Sequence, residues 1–187
     1  AGDAREHHEG VARDLELDPK RYAARGLAAQ ISNLKNELRT AEDAAARASN
    51  DYERRVAEVY AIYQQRLRTA NAFDFDDLIM ETVSLLQRLP AVAEYYRRRF
   101  RHVLVDEYQD TNHAQYVLVR ELVAPAVEGA EPGELCVVGD SDQSIYAFRG
   151  ASIRNIVEFE QDFPNARTIL LEQNYRSTQT ILSAANA

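Results

Sequence analysis

Two apolar stripes organise the first seventy residues. Leu27, Ile31, Leu34 and Leu38 recur at spacings of three and four, and Tyr52, Val56, Val59, Tyr63 and Leu67 repeat the pattern further on. Each set makes one apolar face on an otherwise charged helix. Asp18-Pro19 and Asn50-Asp51 are the expected breaks or caps, and the alanine-rich "AEDAAARA" suits a helix. From "FDFDD" onward the texture changes. Asp76 to Leu89 reads as a helix stopped by Pro90. Three short, β-branched, almost wholly apolar runs follow: "HVLVD", "ELCVVGD" and "RTILLE". Such runs suit strands buried on both faces of a parallel sheet. Helical stretches lie between them, around Ala114–Val123 and Ile153–Phe159. Ser152 is an N-cap for the second, and Ser177 for a last helix.

Strand, helix, strand, helix, strand implies crossover connections and a parallel sheet. Ligands of such sheets sit at the carboxyl ends of the strands. All three strands end in polar clusters, "DEYQD", "GDSDQSIYAFRG" and "EQNYRS". The topology therefore gathers them on one edge.

Composition narrows the class. The chain has 187 residues, 45% hydrophobic and 28% charged, as a globular protein has. No apolar run approaches the ~20 residues of a membrane span. The one cysteine, Cys136, allows no disulfide within the chain and reads as a small buried hydrophobe. A net charge of -8 argues against a protein that binds nucleic acid with its whole surface. It leaves room for a groove that stacks bases. The chain begins without Met and ends in "ILSAANA", so it reads as a piece of something longer.

The clusters carry distinct chemistry. An apolar strand running into Asp106-Glu107 is the pattern of a Walker B strand. Asp106 suits Mg²⁺ held mostly through water, and Glu107 suits a water attacking a γ-phosphate. A strand that merely ends in a charged turn is the bland alternative. Gln143 can both donate and accept, as a sensor of a phosphate oxygen must. Tyr146 and Phe148 beside Arg149 resemble a stacking platform for single-stranded bases, with core packing as the alternative. Tyr175 could stack on a purine and Arg176 could act as an arginine finger in cis. Phe73 and Phe75 flank Asp74 and are either core or a second stacking site. "YYRRRFRH" reads as a helix C-terminus with solvated charges.

In this order, "HVLVDEYQDTN", "VVGDSDQSIYAFRGA" and "LLEQNYRS" resemble motifs II, III and IV of the UvrD/PcrA/Rep-type superfamily 1 DNA helicases, and "KNEL" and "FDFDDLI" extend the match upstream. The resemblance covers roughly residues 12 to 187. It implies an α/β fold: part of a RecA-like P-loop NTPase parallel sheet, preceded by a helical subdomain. Residues 1–70 would be that 1B-like subdomain, and 71–187 part of the 1A motor domain. It also implies ATP and Mg²⁺ as cofactors, with Asp106 on the metal and Glu107 as catalytic base. Gln143 and Arg176 would meet the γ-phosphate and Tyr175 the adenine. Phe75, Tyr146 and Phe148 would face single-stranded DNA, with Arg149 bridging the ATP and DNA sides. Many members carry Trp where Phe148 stands; Phe stacks with less area. The implied parent is a 3′-to-5′ helicase of repair or replication. It would act on single strands and single-strand/duplex junctions, alongside repair proteins, in the cytoplasm at the nucleoid and away from membranes.

Beyond Phe148, the chain departs from the family in lacking the phosphate loop and the second motor domain with its arginine. The phosphate loop G-x-x-x-x-G-K-[ST] has no counterpart, since no Gly-Lys pair occurs. The only lysines, Lys20 and Lys35, lie in the helical part, against twenty arginines. This chain alone is therefore expected to hydrolyse ATP poorly or not at all. Two other readings stay open. One is a non-catalytic DNA- or protein-binding module from a degenerate helicase. The other is part of an AddA/RecB-type helicase-nuclease. Residues 1–10 match no motif.

Overall fold

A computed structural model describes residues 10–11, 13–125, 127–140, 159, 161–171 and 173–185. The described residues divide into two compact units, one within Ala1–Ile156 and the other within Val157–Ala187. In the first, helices α1 (Ala24–Asn36), α2 (Ala41–Arg47) and α3 (Asp51–Thr69) come before any strand. Their two predicted stripes face one another. Leu27 and Ile31 of α1 are buried against Val56, Val59, Tyr60, Tyr63 and Leu67 of α3, with Tyr22 and Ala41 closing the cluster. The predicted breaks fall where expected. The Asn50 side chain accepts the Glu53 N–H and caps α3, and Asp18 turns the chain into α1 by accepting the Lys20, Arg21 and Tyr22 N–H groups. Thr40 and Asp43 form a reciprocal capping box that starts α2.

Helix α4 (Phe75–Arg88) opens on Asp74 and ends one residue before Leu89. Pro90 does more than stop it: proline supplies the first residue of α5 (Pro90–Arg99), where its missing N–H costs nothing. Arg97, Arg98 and Arg99 fill the last turn of α5, as the basic run implied. Arg97 is not solvated, however. It donates to both the backbone carbonyl and the carboxylate of Glu121, each at 2.6 Å, and ties α5 to α6 (His113–Val123).

Strand β1 (His102–Val105) pairs in parallel with β2 (Glu134–Val137), with Leu104 opposite Cys136, and α6 is the crossover between them. Three expectations need correction. Both strands were expected to be buried on both faces, but burial alternates along each. Leu104 is 77% exposed and Cys136 is exposed as well. The reason is that α6 packs on β1, while the side of the sheet bearing Leu104 and Cys136 is left exposed among the described residues of the first unit. "RTILLE" forms no strand over residues 167–171. An apolar run becomes a strand only when a neighbour completes its hydrogen bonds, and within its own unit no described residue pairs with this one. The last helix, α7, spans Gln179–Ala185 and so begins two residues beyond Ser177. The expected helix around Ile153–Phe159, with its Ser152 cap, lies outside the described residues except for Phe159.

Candidate functional site

The two parallel strands bring "DEYQD" and the first two residues of the second cluster, Gly139 and Asp140, to the same edge. At the end of β1 the backbone of Glu107 turns left-handed, with φ 50° and ψ 45°. A non-glycine residue there costs about 1–3 kcal/mol and is found where surroundings enforce it. Here the enforcement is visible. The next N–H, that of Tyr108, donates to Val138 O at 2.9 Å, so the chain must curl from β1 onto the end of β2. A short 3-10 turn over Tyr108–Asp110 follows, closed by the Thr111 hydroxyl on Tyr108 O at 2.7 Å.

Gln109 organises the corner. It is 1% exposed. Its Nε2 donates to Glu107 Oε2 at 2.6 Å, and its Oε1 accepts the Asp140 N–H at 3.0 Å. One amide thus joins the carboxylate after β1 to the backbone after β2. Gly139 lies against it: a Cβ there would meet Gln109 Oε1 at 2.8 Å. The glycine that opens the second cluster is therefore required by close approach rather than by a special φ.

Asp106 and Glu107 are both exposed, so their carboxylates face solvent at the strand end. Asp106 Oδ1 accepts the Glu107 N–H at 3.0 Å. Among the described residues no group of three or more His, Cys, Asp or Glu side chains is assembled around a metal. A single exposed carboxylate of hard oxygen donors still fits Mg²⁺, which keeps most of its waters and takes one or two carboxylates.

The aromatic residues near "FDFDD" are settled by exposure. Phe73 is 64% and Phe75 81% exposed, so neither belongs to the core. They flank Asp74, the N-cap of α4, in a fixed frame. Asp74 accepts the Asp77 N–H, and Asp77 returns the bond from the Asp74 N–H. Lys35 Nζ reaches Asp74 Oδ2 at 2.6 Å and Asp77 Oδ1 at 2.8 Å, and Tyr63 donates its hydroxyl to Asp74 at 3.1 Å. Lys35 also lies over the Tyr63 and Tyr60 rings, at 5.1 and 5.7 Å from their centroids. Burial alone would raise Asp74, but the Lys35 ammonium, by hydrogen bond and by charge, helps hold its carboxyl below the usual range. Asp76 moves the other way, raised chiefly by burial. Burial and the neighbouring carboxylates push the phenols of Tyr60 and Tyr63 well above their ordinary range.

This ion-pair cluster was missed at the level of sequence, although a signal existed. Lys35 follows Leu27 and Ile31 at spacings of four, so it lies in the buried stripe rather than beside it. A cation there needs buried partners, and "FDFDD" holds three carboxylates within four residues.

Tyr175 and Arg176 are exposed, Tyr175 at 93%, in the second unit. Asn174 Oδ1 accepts the N–H groups of Arg176 and Ser177, at 2.8 and 2.9 Å, and holds their turn. Gln143, Tyr146, Phe148 and Arg149 lie outside the described residues.

A family model described as the UvrD/REP helicase N-terminal domain matches residues 3–164, and so reaches into the N-terminal stretch where no motif was recognised. The chain is 68% identical to the ATP-dependent DNA helicase UvrD1 of Mycobacterium tuberculosis, covering 100% of this chain and 25% of that protein. It is 64% identical to UvrD1 of Mycobacterium leprae, over 99% of this chain and 25% of the relative. Identity to the ATP-dependent DNA helicase PcrA of Staphylococcus aureus is 53%, over 94% of this chain and 23% of the relative. The chain thus spans about a quarter of the length of these curated relatives. With the motifs in family order, the chain belongs to the UvrD/REP helicase N-terminal domain family.

Proposed function

We propose that this chain is part of an ATP-driven DNA helicase that moves 3′ to 5′ along single-stranded DNA and unwinds duplex at junctions, in repair or replication. In that reading residues 1–70 are a 1B-like subdomain and 71–187 part of a RecA-like motor domain. One observation carries it: the Asp106–Glu107 pair at the carboxyl end of β1, with Glu107 held in left-handed backbone and braced by buried Gln109. A decayed binding module has no reason to keep a strained, braced carboxylate.

The roles follow from position. Asp106 would hold Mg²⁺, which would neutralise phosphate charge. Glu107 would orient and deprotonate the attacking water. The Gln109 bridge supports a link from this corner to the segment after β2, where Gln143 would sense the γ-phosphate and Tyr146, Phe148 and Arg149 would meet DNA. Arg176 would neutralise the γ-phosphate and Tyr175 stack on adenine, and their exposure leaves both free for such contacts. Phe75 would stack on a base, joined by its exposed neighbour Phe73.

The test uses the full-length protein carrying this chain. Glu107→Gln should abolish hydrolysis stimulated by single-stranded DNA, by roughly a hundredfold or more, while ATP binding persists. Hydrolysis at the parent rate in that variant would refute the assignment. A strand-displacement assay that unwinds only 5′-tailed substrates would refute the polarity.

A further inference from the structure

Two consecutive residues at the C-terminal end of α1 reach two different helices. Lys35 binds Asp74 and Asp77, the N-cap and third residue of α4. Asn36 Oδ1 accepts from Asn112 Nδ2 at 2.9 Å, and Asn112 is the N-cap of α6. Lys35, Asn36, Asp77 and Asn112 are all buried. Neither helix needs the added bond to start. Asp74 already accepts the Asp77 N–H, and Asn112 the Gln115 N–H, each within its own capping box. What the added bonds do is join two helix starts that are distant in sequence, 39 and 76 residues from their partners.

Those two starts carry the two halves of the chemistry. The α4 start presents Phe73 and Phe75. The α6 start directly follows the Asp106–Thr111 loop, in which Thr111, next to Asn112, is bonded to Tyr108. We propose that Lys35 and Asn36 are positioning residues that couple the nucleotide loop to the aromatic DNA surface on α4, by a route separate from the segment after β2. A movement of the loop displaces Asn112, Asn112 draws on Asn36, and the adjacent Lys35 carries the displacement to Asp74. Buried, fully bonded polar groups transmit such shifts because the interior is close-packed and an unmade bond there is costly. The inference rests on the helicase reading above.

Lys35 is left intact in the test, because its loss strands two buried carboxylates and can unfold the protein. Asn36→Ala removes the acceptor for Asn112 together with the Nδ2 donor to Ser32 Oγ at 3.4 Å, whereas Asn36→Asp loses that donor too but keeps an acceptor oxygen for Asn112. In the full-length protein, ATP hydrolysis is measured without DNA and with saturating oligo-dT, with oligo-dT affinity and thermal midpoint alongside. Asn36→Ala should keep the DNA-free rate and the affinity, yet lose about fivefold or more of the DNA stimulation. Asn36→Asp should recover it. Full stimulation in Asn36→Ala overturns the coupling, as does an equal loss of free and stimulated rates with a lowered midpoint. A parent protein that shows no DNA stimulation overturns the helicase reading and this one together, whereas a stimulated parent with an unaffected Asn36→Ala overturns this one alone.

Discussion

Glu107 and Gln109 show how one residue pair can fix the corner where a strand ends. Glu107 accepts backbone strain to leave the strand, and Gln109 offsets it with bonds to Glu107 and to Asp140. The arrangement leaves no room for a side chain at residue 139, where a Cβ would press on Gln109 Oε1. Gly139→Ala should therefore displace the Gln109 amide and lower stability by about 1–3 kcal/mol, as overpacking does. Urea denaturation of the 187-residue chain measures the loss. A midpoint equal to the parent's would mean that the amide has room to move. In the full-length protein the same change should slow hydrolysis, since Glu107 loses its donor.

At the level of elements, the start of α4 concentrates three carboxylates near one ammonium, and two of them, Asp74 and Asp76, titrate in opposite senses. Asp74 is held below its usual value of 3.8 despite burial, through Lys35 above all. Its contribution to stability is full above about pH 4 and is lost as pH falls through its lowered value. Asp76 is raised, chiefly by burial. A raised carboxyl favours the folded state only while protonated, so its contribution is present at low pH and is lost as pH rises through the raised value. Asp76→Asn should thus stabilise the chain at pH 7, with the gain shrinking as pH falls toward 4. Thermal midpoints of parent and variant across that range test the sign. A gain that grows on acidification would show that Asp76 is not the group opposing folding.

On the scale of the whole molecule, the described part of the first unit holds a parallel pair of strands covered by a helix on one side only, with Leu104 and Cys136 bare on the other. No described helix is long and apolar enough to cross a membrane. Asp106 and Glu107 are present without a Gly-Lys phosphate loop, and net charge is -8. The 187-residue chain alone should therefore show no steady-state ATP hydrolysis above the Glu107→Gln background, with or without oligo-dT. Hydrolysis stimulated by single-stranded DNA and abolished by Glu107→Gln in this same chain would contradict that expectation.

Much of this was legible from residue order. The helical stripes, the Asn50 cap, both short strands and the Asp106–Glu107 corner follow from periodicity, cap chemistry and polarity, which are local properties. That "DEYQD" and the next cluster share an edge follows from the parallel topology, though only the fold shows that Gln109 joins them. Other outcomes depended on partners far away in sequence. Lys35 looks like a surface cation until Asp74 and Asp77 arrive 39 and 42 residues later. Phe73 and Phe75 could have been core until packing left them exposed. Cys136 and Leu104 read as buried, and "RTILLE" as a strand, because apolar sequence states a preference for cover without saying whether a neighbour supplies it. Sequence by itself determined which segments form helices and which side chains could do chemistry. Only tertiary structure decided which groups are buried together, because burial and ion pairing are properties of contacts rather than of order along the chain.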